Sequence, residues 1–178
     1  MTFVEDNGAA SPEALADFEL KLGQLPDDYR EFIAAHNGVR LSGSADVRID
    51  TPLGPEFWGV DTIEGVQDTE FWVVDYPTGS MPVATDGGGN TYLMGLVGEL
   101  RGRIYFHDHE LASEVPEPLE SLQCLVESFG TFLAGVRDFD PDDPESEALF
   151  HLLIERRREV DQQRDAILNP KKPWWKLR

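Results

Sequence analysis

Four groups of residues in this chain have side chains of a chemically useful type. The first is His107-Asp108-His109-Glu110. In a strand, alternate residues share a face, so His107 and His109 would offer two imidazoles to one ion. No third ligand is indicated and the helical His-Glu-x-x-His spacing is missing, so no metal is expected. The expected role is a polar strand end, with Asp108 or His109 bonding local backbone. The second group is Asp86-Gly87-Gly88-Gly89-Asn90. A phosphate loop needs Lys and Ser or Thr after its glycines, at the start of a helix; here Asn90-Thr91-Tyr92 opens a strand-like pattern. The spacing of the dinucleotide fingerprint is also absent, so the segment reads as a turn and no cofactor is expected. Third, Asp138, Asp140, Asp142 and Asp143 crowd one loop, but a calcium loop wants a central Gly and a Glu at its twelfth position, and Pro141 interrupts. The fourth is the single cysteine, Cys124, whose apolar setting SLQCLVESF reads as a buried, inert thiol. No Ser-His-Asp, Cys-His or paired-carboxylate set can be assigned, and the expectation is a protein without catalytic activity.

The elements that must carry these residues follow from periodicity and punctuation. Ser11-Pro12-Glu13 opens a helix, by capping, by the fixed φ of proline and by the helix dipole. Leu15, Phe18, Leu22 and Leu25 then recur at helical spacing, and Gly23 ends the helix. Pro26-Asp27-Asp28 opens a second helix with Tyr29, Phe32, Ile33 and His36 on its inner stripe. Arg30, Glu31 and Asn37 face out or cap, and Asn37-Gly38 stops it. Val47 and Ile49 alternate with Arg48 and Asp50 as in a half-buried strand, and Phe57–Val60 suggests another. Thr62–Val74 fits a helix loosely, with Asp61 as its cap. Met81–Thr85, Thr91–Val97 and Arg103–His107 form an antiparallel meander. Its middle strand sets Tyr92, Met94 and Leu96 on one face and Leu93 and Val97 on the other. Pro116 and Pro118 break the pattern, and Ser128 caps a helix carrying Phe129, Phe132, Leu133 and Val136. Asp138–Glu147 is an acidic hinge, and a further helix near 144–168 precedes the tail NPKKPWWKLR. The expected fold is α+β, a mainly antiparallel sheet flanked by helices, with a C-terminal helical extension. The expected domains are 1–140 and 141–178.

Charge separates these two parts. Eight of the 15 Lys and Arg follow Glu155, against three acids, which leaves 31 acids and 7 bases in residues 1–155, a net of −24. Such a body repels phosphates, so no nucleic acid is expected to bind; it either attracts basic partners or serves only to keep the protein in solution. The tail mixes Lys171, Lys172 and Lys176 with Trp174 and Trp175, a pattern that could touch nucleic acid or a membrane surface or anchor to a partner, with docking on the acidic body or disorder the expected reading. No apolar run approaches a membrane span, and the N-terminus has neither a basic start nor an apolar stretch. With one cysteine, a reducing cytoplasmic setting and no membrane partner are expected.

Three blocks also carry a family resemblance. FELKLGQLPDDYREFIAAHNG resembles the N-terminal motif of the SUKH superfamily, in the branch that includes the yeast cell-wall-assembly regulators. The match runs through Glu19, Gly23, Leu25, Pro26, Tyr29, Phe32, Asn37 and Gly38. MPVATDGGGNTYLMGL and GRIYFHDHE are similar to its central strands, through Asp86, Gly87, Gly89, Asn90, Tyr105, Phe106, Asp108, His109 and Glu110. SFGTFL, with Ser128, Phe129 and Phe132, is similar to its closing helix. The blocks stand in the family's order and cover about Ser11 to Asp138. His107 departs where an aromatic is common, Val39 where a small residue is usual, and Val39–Thr78 matches poorly.

The resemblance implies helices around a mainly antiparallel sheet, and no shared catalytic residues. It implies an immunity protein that binds and neutralises a cognate bacterial toxin, a basic nuclease given the charge. A scaffold or regulatory protein of the same fold is the alternative, and a metal-dependent hydrolase using His107 and His109 a second. In the variable stretch, Asp61, Glu64, Asp68, Glu70 and Asp75 are the expected partner-binding acids. Phe71 and Trp72 would be its anchors if exposed, and core residues otherwise.

Overall fold

The computed structural model describes residues 1–42, 45–51, 54–66, 76–110 and 118–138. The chain divides into two units, Met1–Asp138 and Phe139–Arg178, and every described residue lies in the first. The expected helix near 144–168, the tail and most of the acidic hinge therefore lie outside the described residues.

The described unit is α+β. Strand β1 (Phe3–Asp6) precedes helices α1 (Pro12–Leu22) and α2 (Asp27–Ala35). Strands β2 (Val39–Leu41), β3 (Ala45–Thr51), β4 (Gly54–Gly59), β5 (Thr62–Ile63), β6 (Ser80–Thr85), β7 (Thr91–Gly95), β8 (Ile104–His107) and β9 (Gln123–Val126) follow. Helix α3 (Phe129–Gly135) runs directly into β10 (Val136–Asp138). Seven strands form one antiparallel sheet in the order β1-β2-β5-β6-β7-β8-β9, and β10-β3-β4 form a second.

The expected helix boundaries hold for local reasons. The Ser11 side chain accepts the Ala14 N–H, and Pro12 costs the first turn no bond it would otherwise make. Gly23, at φ +86°, ends α1 in a conformation that a Cβ would disfavour. Ser128 caps α3 by accepting the Thr131 N–H. Asp28 reaches from α2 to accept the Gly130 N–H at 2.7 Å, so the starts of α2 and α3 are tied together.

Most of the core lies between the helices and the sheets. Phe129 meets Tyr29 edge-on at 4.9 Å and Phe32 at 5.4 Å, and Phe132 meets Tyr92 at 5.0 Å. The meander forms as expected, but its middle strand β7 stops at Gly95, short of Val97, which is 57% exposed rather than packed beside Leu93; β7 itself is buried on both faces. Tyr92 and Met94 join the main core while Leu93 packs in a smaller one with Tyr105 and Leu119, the split that alternation demands. The two sheets meet where the Tyr92 hydroxyl donates to the Gly59 carbonyl at 2.7 Å and Trp58 packs on Phe106 at 4.5 Å. Burial holds the Tyr92 phenol well above its ordinary value, so it stays a neutral donor.

Several expectations change. Thr62–Ile63 is a strand, not a helix, because its backbone bridges β2 and β6; Asp61 caps nothing and is itself a rung of the sheet. Strands β1, β2, β9 and β10 have no counterpart in the periodicity reading. Strand β1 is an outer strand with a bulge between Phe3 and Glu5, and Val4 there is 54% exposed. His36 is half-buried rather than part of the inner stripe, with its Nδ1 2.7 Å from the Asp6 carboxylate. Cys124 is exposed on β9, not buried, because alternation in that strand turns Leu125 inward instead. Partial desolvation and the nearby Glu127 nevertheless hold its thiol above the ordinary value, which suppresses the reactive thiolate.

Asp138, expected to begin a solvated hinge, is instead an anchor. Its carboxylate accepts from the Thr2 hydroxyl at 2.7 Å, the Thr2 N–H at 3.0 Å and the Ser42 hydroxyl at 3.0 Å. These donors, the Thr2 hydroxyl foremost, hold its pKa below the ordinary 3.8. The folded value lies below the unfolded one. The stabilisation is therefore complete above pH 3.8 and lost as pH falls through the lower folded value. Comparing Asp138→Ala with the parent by thermal melting at about pH 6 and about pH 2 tests this; the deficit is expected at the higher pH and should vanish at the lower.

Candidate partner-binding surface

The residues of the opening motif act together at one corner of the large sheet. Glu19 accepts the Leu25 N–H at 3.3 Å and the Arg30 Nε–H at 3.2 Å, which sets the bend between α1 and α2. That bend drives Leu25 and Tyr29 fully into the core. The Tyr29 hydroxyl then donates to the Glu64 carbonyl at 2.9 Å. Asn37, expected to face out or cap, is only 5% exposed, and its Oδ1 accepts the Val66 N–H at 2.7 Å. Gly65 lies so close beneath that an added Cβ would stand 2.5 Å from the Asn37 carbonyl carbon. Gly38, at φ +86°, lets the chain turn straight from this contact into β2. The motif therefore pins residues 64–66, the point from which 67–75 departs.

Of the expected contact residues, Asp61 is half-buried, with its backbone N–H given to Thr85 and its carbonyl accepting from Leu41, both at 2.8 Å. Glu64 is 7% exposed rather than carried on an open loop. Its Oε1 accepts from the Thr62 hydroxyl at 2.8 Å and lies 3.5 Å from that of Thr85, which satisfies a buried carboxylate. Asp68, Glu70, Phe71, Trp72 and Asp75 lie outside the described residues. Beside Glu64, a cleft of about 220 Å³ opens over β1, β2 and β5. Cross-strand neighbours Glu5 and Arg40 form a two-point ion pair at its rim, at 2.8 and 3.1 Å. Arg40 holds the Glu5 carboxyl below the usual carboxylate range.

The second motif is also a lock. The Asp86 Oδ1 accepts the N–H groups of Gly88 at 2.9 Å and Asn90 at 2.7 Å, and its Oδ2 accepts from the Asn90 side chain at 2.7 Å. Asn90 in turn accepts the His109 N–H at 3.2 Å and lies 3.0 Å from its Nδ1. The glycine turn thus ties the β6–β7 hairpin to the end of β8. His107 closes β8 beside the Tyr76 ring, and burial lowers its pKa, whereas His109 stands beyond the strand on Asn90. The two imidazoles are engaged separately. Among the described residues no group of three His, Cys, Asp or Glu is placed to hold a metal ion. Asp86→Ala removes three acceptor contacts and is expected to cost about 1–3 kcal/mol in urea unfolding, through the N–H groups it leaves unmatched.

Comparison with family models matches residues 9–135 to the SMI1 / KNR4 family (SUKH-1). The chain belongs to this family. All three motif blocks fall inside the match. The SUKH-1 residues singled out in sequence, Glu19, Tyr29, Asn37, Asp86 and Asn90, make hydrogen bonds that tie elements of the fold together. SUKH domains include toxin-immunity proteins, and the family works through protein–protein interaction. A search of the curated proteins found no match. No described helix is long and apolar enough to cross a membrane.

Proposed function

We propose that this SUKH-1 protein is a cytoplasmic immunity protein, without catalytic activity, that binds one cognate bacterial toxin domain and covers its active site or substrate groove. The observation that carries the reading is charge: residues 1–155, which contain the SUKH-1 domain, hold 31 acids against 7 bases. A nuclease presents a basic groove to nucleic acid, and an anionic protein surface competes for that groove and speeds encounter. The proposed contact face takes in Asp61, Asp68, Glu70, Phe71, Trp72 and Asp75, with Glu64 buried behind it.

Rescue tests the proposal. The protein is expressed in one cell with toxin domains from neighbouring reading frames, and complexes are recovered by affinity purification. Survival with a stoichiometric complex is the expected result; death with every candidate and no complex overturns it. The association rate should also fall about tenfold or more between about 20 mM and about 500 mM salt, because screening removes the steering.

A further inference from the structure

The smaller core, on the face of β7 and β8 away from Tyr92, ends in a titratable ring. Strand parity puts His107 on the same face of β8 as Tyr105, which packs there with Leu93 and Leu119. Tyr76 packs against this smaller core as well. Its ring meets the His107 ring edge-on, with centroids 5.5 Å apart and planes at 81°. Its hydroxyl lies 3.2 Å from the Thr91 Oγ1. Thr91 is the cross-strand neighbour of His107 and is only 4% exposed. Tyr76 is therefore held to the sheet at two adjoining points, and His107 is one of them.

One nitrogen of that imidazole has nothing to bond. The Nδ1 of His107 is buried without a hydrogen-bond partner among the described residues. A neutral ring tolerates this, because its Nδ1 can stay unprotonated. An imidazolium carries a proton on both nitrogens. It would bury an N–H with no acceptor and set a charge beside apolar side chains. Among the described residues three titratable groups bear on the ring. Asp108 favours the cation, His109 opposes it, and the Tyr76 phenol packs against it. Burial outweighs Asp108 and holds the pKa below the ordinary 6.5.

We propose that His107 is an acid-sensitive latch: as a neutral ring it seats Tyr76 on β7 and β8, and on protonation it turns out toward water and lets Tyr76 go. The folded chain takes up this proton less readily than the unfolded one. The latch's contribution to stability is therefore complete above pH 6.5 and is lost as pH falls from 6.5 to the lower folded value. Tyr76 follows directly on Asp75, so its release frees one end of the proposed contact stretch. That consequence rests on the immunity reading; the latch itself does not.

The full chain is titrated by NMR from about pH 7.5 to about pH 5, with the histidine ring signals assigned from single variants. The His107 Cε1–H signal is expected to titrate with a midpoint below 6.5, and the Tyr76 ring and Thr91 amide signals to move with that same midpoint. His107→Phe keeps a ring and cannot titrate. In it the Tyr76 and Thr91 signals should hold still over the range, and acid should lower the melting temperature less than in the parent. A His107 midpoint at or above 6.5 overturns the inference, as do Tyr76 and Thr91 signals that ignore the His107 titration. A Tyr76 response that persists in His107→Phe does the same. Should that variant not fold, the parent titration decides by itself. Failure of every toxin rescue would sink the immunity reading and leave the outcome of this titration as it stands.

Discussion

Phe129→Ala should destabilise the protein by about 3–5 kcal/mol, the largest effect expected of any single truncation here. Phe129 is fully buried and touches aromatic rings from two helices. Its loss removes the transfer energy of a ring and leaves a cavity that Tyr29 cannot fill, because the Tyr29 hydroxyl is committed to Glu64. Domains of this size have only about 5–15 kcal/mol to lose, so the variant should populate unfolded chains readily on warming. Urea unfolding checks it: the midpoint falls with the slope unchanged. Phe129→Leu, which keeps most of the volume, should cost less than half as much. Equal costs for the two variants would mean that the aromatic cluster does not hold α2 to α3.

Gly65→Ala is expected to be nearly as severe for a different reason. Its Cβ would meet the carbonyl carbon, carbonyl oxygen and Oδ1 of Asn37 at 2.5 to 2.6 Å. Backbone atoms cannot swing aside as a side-chain tip can. Either the 64–66 segment lifts, or Asn37 gives up the Val66 N–H and leaves a buried donor unmatched. Overpacking and a lost buried bond together put the cost at about 2–4 kcal/mol. Gly87→Ala is the control: nothing stands within 4 Å of its added Cβ, and the change should stay within about 0.5 kcal/mol. If the pinned corner presents the contact segment, Gly65→Ala should also weaken rescue from the toxin at temperatures where the protein is still folded.

The features legible in the sequence were those whose cause is local. Ser11, Gly23 and Ser128 act within three or four residues of themselves, so their caps could be named without a fold. The meander was legible because β6 and β7 run five or six residues, long enough for alternation to show, and are joined by a glycine turn. Strands β2, β5 and β10 are two or three residues long, too short for any period, and exist only because a neighbour completes their ladder. Asn37 was misplaced because its partner Val66 is 29 residues away. Glu64 reads as a loop acid in sequence because nothing nearby announces that Thr85, 21 residues on, will help to cover it. Cys124 was misread from its apolar company, when strand parity decides which neighbour turns inward.

The bulged, four-residue β1 carries a consequence for the life of this protein among its own copies. A sheet of seven strands ends somewhere, and an exposed end is a template on which other chains can polymerise. Here that end is short, kinked beside Val4 and tipped with Glu5 and Asp6. Like charges facing across such a seam would repel, so newly made molecules are discouraged from stacking into fibres.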